Sequence, residues 1–191
     1  VRADARRNRA RIVATAIGLF TERGAGVGMD EIARASGLGV GTLYRHFPDK
    51  RALLVGIACD SLRELLACAQ DAEARPIPAW AMLDLLVRRC VELPLALTKS
   101  LDGEHDPELE ELQRRADEAI QQIVQRAQQE GSLRLDIPAR EVVGLLNVAV
   151  CRPGARAEDH LVTVILDGLR AAPGQARGGS PVSAAVAPSE M

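Results

Sequence analysis

Apolar residues recur at helical spacing almost from end to end, and that pattern constrains this chain more than anything else in it. Ile12, Ala16, Leu19 and Phe20 lie three or four apart, and Gly24 follows them as a stop. Met29, Ile32 and Ala33 mark a short second helix over residues 29–36. Its first turn carries Asp30 and Glu31, which suit the positive end of a helix dipole. Residues 36–39 form a turn with two glycines. Residues 40–47 read as a third short helix, ended by Pro48. Asp49 then caps a long fourth helix bearing Leu53, Leu54, Ile57, Leu62, Leu65 and Leu66.

A break at Arg75-Pro76-Ile77-Pro78 precedes a helix over 79–93, interrupted at Pro94, with a short piece running on to Leu101. Residues 102–107 form a polar loop. The stretch 108–130 places Leu109, Leu112, Ala116, Ile120, Ile123 and Ala127 on one face. Two further helices, over 138–151 and 157–170, are apolar almost all round. Neither strand alternation nor an internal repeat appears. The expected fold class is therefore all-α, with about nine helices. They fall into a three-helix head (residues 1–51), a larger helical body (52–172) and a Gly/Ser/Pro/Ala-rich tail (173–191) that reads as disordered.

With 191 residues, 47% hydrophobic and 26% charged, the composition is that of a globular chain of one or two domains, neither disordered nor collagen-like. No run approaches the ~18 apolar residues of a membrane span. The first eleven residues carry five arginines and no apolar run, unlike a secretory signal. Cys59, Cys68, Cys90 and Cys151 are scattered without metal-like spacing and read as reduced thiols of a cytoplasmic protein. Charge is uneven. Residues 1–51 hold ten basic and five acidic side chains, whereas the rest hold fourteen basic and twenty-one acidic. A basic head on an acidic body suggests one end that meets a polyanion.

The head also holds the most informative segment. Residues 29–50 read helix, tight glycine turn, helix, in the dimensions of a helix-turn-helix whose second helix enters the major groove of DNA. On that second helix Leu43 and Phe47 are four apart and face the core. Gly41 leaves its first turn bare, and Thr42, Tyr44, Arg45 and His46 point outward. A hydroxyl, a phenol, a guanidinium and an imidazole suit phosphates and base edges. Lys50 sits at the start of the next helix, where backbone N–H groups also favour a phosphate.

Three pieces of sequence resemble the TetR family of bacterial transcriptional regulators. They are Ala16-Ile17-Gly18-Leu19-Phe20-Thr21-Glu22-Arg23-Gly24, Asp30-Glu31-Ile32-Ala33, and Gly41-Thr42-Leu43-Tyr44-Arg45-His46-Phe47-Pro48-Asp49-Lys50. The close likeness covers about the first quarter of the chain. It implies an all-helical homodimer with an N-terminal DNA-binding head and a C-terminal effector-binding and dimerisation body. It also implies that Tyr44 and Lys50 touch phosphates, while Thr42, Arg45 and His46 lie near bases or backbone. The chain departs from the family's usual pattern at Ala25, Gly28, Gly39 and Val40, which removes possible phosphate contacts.

In the body, a helix that is apolar all round must be covered on both sides. The last two helices, through Val142, Leu145 and Val148 and through Leu161, Ile165 and Leu169, are expected to meet a second copy in a four-helix bundle. The alternative is that both helices are central in a monomer. Trp80, Leu83, Leu86, Cys90, Leu112, Ile120, Val124 and Leu146 are candidates to line a pocket for a small apolar or amphipathic effector; the competing reading is an ordinary aliphatic core. The glycine clusters at 24–28 and 37–41 match no phosphate-binding loop. His105 among Asp102, Glu104, Asp106 and Glu108 reads as a solvated acidic loop rather than a metal site. Neither a catalytic constellation nor a cofactor motif is present in the sequence.

These features point to a dimeric, ligand-responsive repressor that reads palindromic double-stranded DNA, with no membrane, metal or cofactor involved. The alternative is a helical small-molecule or thiol-sensing module whose head no longer reads DNA.

Overall fold

A computed structural model describes residues 2–24, 26–101, 105–152, 156 and 159–171. Among these residues there are eight α-helices: α1 (Arg2–Arg23), α2 (Met29–Ala35), α3 (Val40–His46), α4 (Lys50–Glu73), α5 (Ala79–Glu92), α6 (Pro107–Gln129), α7 (Ala139–Val150) and α8 (His160–Leu169). The short piece after Pro94 is a 3-10 helix, Leu95–Leu101, which completes nine helical segments. The only β feature among the described residues is an isolated antiparallel bridge between Leu133 and Arg170. The tail over 173–191 lies outside the described residues.

Local chemistry sets the helix ends. α2 closes with a Schellman turn: Gly37, at φ +63°, donates to the Arg34 carbonyl, and the Leu38 N–H reaches back to Ala33 at 3.1 Å. Glycine carries no Cβ penalty in that left-handed conformation. Asp49 caps α4 by accepting from the Ala52 N–H at 2.7 Å, and Asp106 caps α6 by accepting from Leu109 at 3.1 Å. α5 follows Pro78, which offers no capping side chain. Its Ala79 N–H is satisfied instead by the Glu130 carboxylate, at 2.8 Å from the far end of α6.

α1, α2 and α3 form the head around Ile12, Ala16, Phe20, Ile32, Ala33 and Leu43, all buried. α4 is common to both parts. Its first turns pack on the head, where a methyl placed on Gly56 would come within 3.1 Å of the Phe47 ring and 3.4 Å of the Arg9 guanidinium. Its later turns pack against α5, α6 and the 3-10 helix. α7 lies on α6 and α8 on α7. The end of α8 is clasped back: the Ala171 N–H donates to Ser132, Arg134 donates to Leu169, and the Arg170 guanidinium lies 4.6 Å above the Trp80 ring.

Two expectations are corrected by burial. Val142 and Leu169, assigned to an intermolecular face, are almost fully inside the chain's own core, and Ile165 is half-buried. The outward apolar stripe keeps Leu145, Val148 and Leu161 of that set and adds Val164, with Val148 and Val164 more than 60% exposed. A short helix packed on one neighbour must bury one stripe there. Only the opposite stripe is left over.

Candidate nucleic-acid interface and ligand cavity

Burial of Leu43 on α3 and of Phe47 just after it fixes how the helix sits on the head. The helical repeat then decides which side chains are left outside. Tyr44, four residues from Val40, is 43% exposed, as is Val40 itself. Gly41 and Arg45 are exposed, while Thr42, His46 and Lys50 are half-buried. The Arg45 Nε donates to the Gly41 carbonyl at 3.1 Å, which leaves its terminal nitrogens to face outward. The Lys50 ammonium lies 5.9 Å from the centroid of the Phe20 ring. Of the six residues expected to meet DNA, five lie on α3 and Lys50 opens α4. Val40 is also exposed on α3, about one turn before Tyr44. Its hydrophobicity had placed it only as a departure from the usual pattern.

Neither α2 nor α3 has a side-chain cap, since Gly28 and Gly39 stand at those positions. The head is braced instead by long-range polar links. Arg11 donates to the Gly37 carbonyl at 3.3 Å, and Arg23 pairs with Glu31. Arg9 bonds to Asp60 at 2.7 Å while covering the Phe47 ring at 5.3 Å, tying α1 to α4.

The body holds an open-sided cavity of about 370 Å³ between α4, α5, α6 and α7. Leu62, Leu65, Leu95, Ala116 and Ile120 contribute apolar walls, with the Cys90 and Cys151 thiols alongside. Gln113, Asp117 and Asn147 supply its polar atoms. Of the eight pocket candidates read from sequence, the cavity brings together Cys90 and Ile120. Leu83, Leu86, Leu112, Val124 and Leu146 sit in the surrounding core, and Trp80 is held away under Arg170. Burial pushes the Cys90 thiol up to about 12, with Cys151 and Cys68 adding to the effect. Burial first, and then the Glu108 charge, also raises Cys59.

Polar contacts tie α4 to the start of α6. Arg63 on α4 pairs with Asp60 at 3.0 Å and with Glu108 on α6. Arg51, in the first turn of α4, donates to the His105 carbonyl at 2.9 Å, one residue before the α6 cap. No helix among the described residues is long and apolar enough to cross a membrane, and no three His, Cys, Asp or Glu side chains among them converge as a metal site.

An all-helical chain with a Schellman-turned helix pair at one end and a walled cavity at the other defines a class: helix-turn-helix regulators with a separate sensing body. Comparison with known proteins narrows it. The family model described as bacterial regulatory proteins, tetR family, matches residues 12–57, and that of the SbtR-like transcriptional regulator C-terminal domain matches residues 81–171. A TetR transcription regulatory protein from Mycobacterium vanbaalenii is 34% identical, with a TM-score of 0.64 over 88% of this chain and 98% of that one. CprB from S. coelicolor A3(2), at 22% identity, shares the fold with a TM-score of 0.71 over 88% of this chain and 91% of its own. An HTH-type transcriptional regulator of Staphylococcus aureus is 50% identical over 54 residues, which span 28% of this chain and only 29% of that relative. The chain belongs to the TetR family. Members of that family are ligand-responsive DNA-binding transcriptional regulators, not enzymes.

Proposed function

We propose that this protein is a dimeric repressor that binds a palindromic operator and leaves it when a small apolar or amphipathic molecule occupies the body cavity. The observation that carries this reading is the outward edge of α3: Thr42, Tyr44, Arg45 and His46 stand out over the buried Leu43 and Phe47, with Lys50 beside them. Those side chains offer phosphate and base-edge contacts.

The exposed stripe of Leu145, Val148, Leu161 and Val164 supports a second copy on α7 and α8. Two heads would then address half-sites roughly 34–36 Å apart. α4 serves as the lever. It carries the head on its first turns and lines the cavity with Leu62 and Leu65 three turns later. A ligand that binds better to a conformation with the wrong half-site spacing moves the equilibrium off DNA. In this reading the protein acts in the cytoplasm, where its operator is.

The test is selection from random duplexes followed by titration of the selected duplex across ionic strength. A palindrome with a steep salt slope is expected. Lys50→Ala should lower the slope by about one unit, and Tyr44→Phe should weaken binding to all sequences alike. A second reading, a ligand- or thiol-sensing module with a silent head, draws on the uncapped Gly28 and Gly39 and on the thiols at the cavity. It predicts ligand or oxidant binding with no enriched duplex.

A further inference from the structure

We infer that the cavity selects an amphiphile with a cationic, amine-type head, and that Asp117 is the residue that reads it. This deepens the proposed function and rests on the cavity being the effector site. The argument begins with where the polar atoms lie. Gln113 and Asp117 are four apart on α6, so they fall on one side of the helix. Asn147 approaches from α7, with its Nδ2 donating to the Asp117 Oδ1 at 3.4 Å. All three polar side chains therefore gather along the seam between α6 and α7. Asp117 is exposed, which puts that seam at the mouth; Leu62, Leu65 and Ile120, all buried, set the interior. An apolar body with one polar end fits such a gradient.

Charge then fixes the sign of that end. Asp117 is the only ionisable carboxylate among the described lining residues, and none of them is lysine, arginine or histidine. The guanidinium one turn back, Arg114, is already held by Glu111 at 2.7 Å and Glu118 at 2.5 Å. Among the described residues Asp117 accepts from a neutral amide alone, in a long bond, so acceptor capacity remains at the mouth. The body around it is net acidic, with fourteen basic against twenty-one acidic residues after position 51. An anionic head would meet a like charge that none of the described lining residues neutralises, whereas an ammonium would gain a charge-assisted hydrogen bond. At 370 Å³ the cavity stands at the small end of the usual range for ligand sites, which suits a single chain or small ring system.

The experiment is calorimetric titration of the full chain with decylammonium, decanol and decanoate, each below micelle formation. Decylammonium is expected to bind most tightly and decanoate most weakly. Asp117→Asn should weaken decylammonium about fivefold, the yield of a partly exposed ion pair, and leave decanol within about twofold. Asp117→Lys should reverse the order of the two charged probes. Decanoate binding as tightly as decylammonium, or an Asp117→Asn chain that binds decylammonium unchanged, overturns the headgroup assignment. If decanol still binds in that case and Ile120→Trp abolishes it, the cavity stands as the ligand site. Failure of all three probes to bind removes the cavity reading, and the headgroup assignment with it. Thermal unfolding monitored by circular dichroism checks that each variant is folded.

Discussion

The head and the body place their working side chains on opposite sides of a helix. In α3, one of seven residues is buried, and Val40, Gly41, Tyr44 and Arg45 are exposed. In α6 the buried face of Leu109, Leu112, Ala116, Ile120, Ile123, Val124 and Ala127 faces the core, and two of these residues line the cavity. The head addresses a ligand of regular shape and charge, the phosphate lattice of DNA, with short helices held rigidly from behind. The body must enclose a molecule, so its site exists only where four helices fail to fill the space between them. The first kind of site is made by one local segment. The second depends on packing across nearly a hundred residues.

The strongest way to break this comparison is to damage the support of the head alone. Phe47 is 4% exposed, packed against Gly56 of α4 and covered by Arg9. Phe47→Ala removes the ring that seats α3 on α4, a loss of about 3–5 kcal/mol in a site that cannot collapse fully. DNA binding is expected to disappear, with an early unfolding transition in a urea titration. Binding of a cavity probe such as decanol should persist up to the second transition. A single transition that takes both activities together would show that α4 welds head and body into one cooperative unit.

That local character explains what could be read in advance. The helix pair, the turn glycine Gly37 and the outward set around Tyr44 lie within about twenty residues, where helical period decides facing. The position of Val40 on the same outward edge follows from the same period, and only its hydrophobicity concealed it. The cavity was much less legible. Leu83, Leu86 and Cys90 share the apolar face of α5, and nothing in that face distinguishes the residue that meets a void from those that meet other side chains. Trp80, the one aromatic of the body, does not line this cavity, and its partner Arg170 stands ninety positions later. Gln113, Asp117 and Asn147 belong to no sequence motif and meet only because α6 and α7 lie side by side. For α7 and α8, apolar all round, sequence pattern could not show which stripe the chain covers itself; Val142 and Leu169 went inward and Val148 and Val164 remained outside.

A smaller effect sharpens the contrast from the body's side. Cys90 stays neutral in the fold up to about pH 12, against an ordinary value of 9.0. Below pH 9 the thiol is protonated in both folded and unfolded chains, and its contribution is complete. Above it the unfolded chain gives up the proton while the folded chain keeps it, so stability falls as pH rises towards 12. By pH 10 the loss is on the order of 1 kcal/mol. Urea unfolding at pH 8 and pH 10 should show that loss in the body transition and not in the head. Cys90→Ala should remove it. Equal pH dependence in the two chains would mean that water reaches the thiol through the cavity.

The smallest expected change in stability bears most directly on how the two regions communicate. Arg63 joins α4 to α6 through Asp60 and Glu108, and its side chain is 47% exposed. Exposed pairs of this kind stabilise by a few tenths of a kcal/mol to about 1 kcal/mol and weaken with salt. Arg63→Gln should therefore barely move the urea midpoint, and neither the outward edge of α3 nor the cavity wall includes the residue. Asp60 also holds Arg9 of α1, so this link runs from the start of α6 through α4 to the head. The informative quantity is the ratio of DNA affinities with and without a cavity ligand, since that ratio is the coupling free energy between the sites. Loss of Arg63 should shrink it while leaving each affinity, measured alone, nearly unchanged. An unaltered ratio would assign the coupling to the apolar packing of α4 on α6, or to the Arg51 contact with the His105 carbonyl, and Arg51→Gln would then separate those two routes.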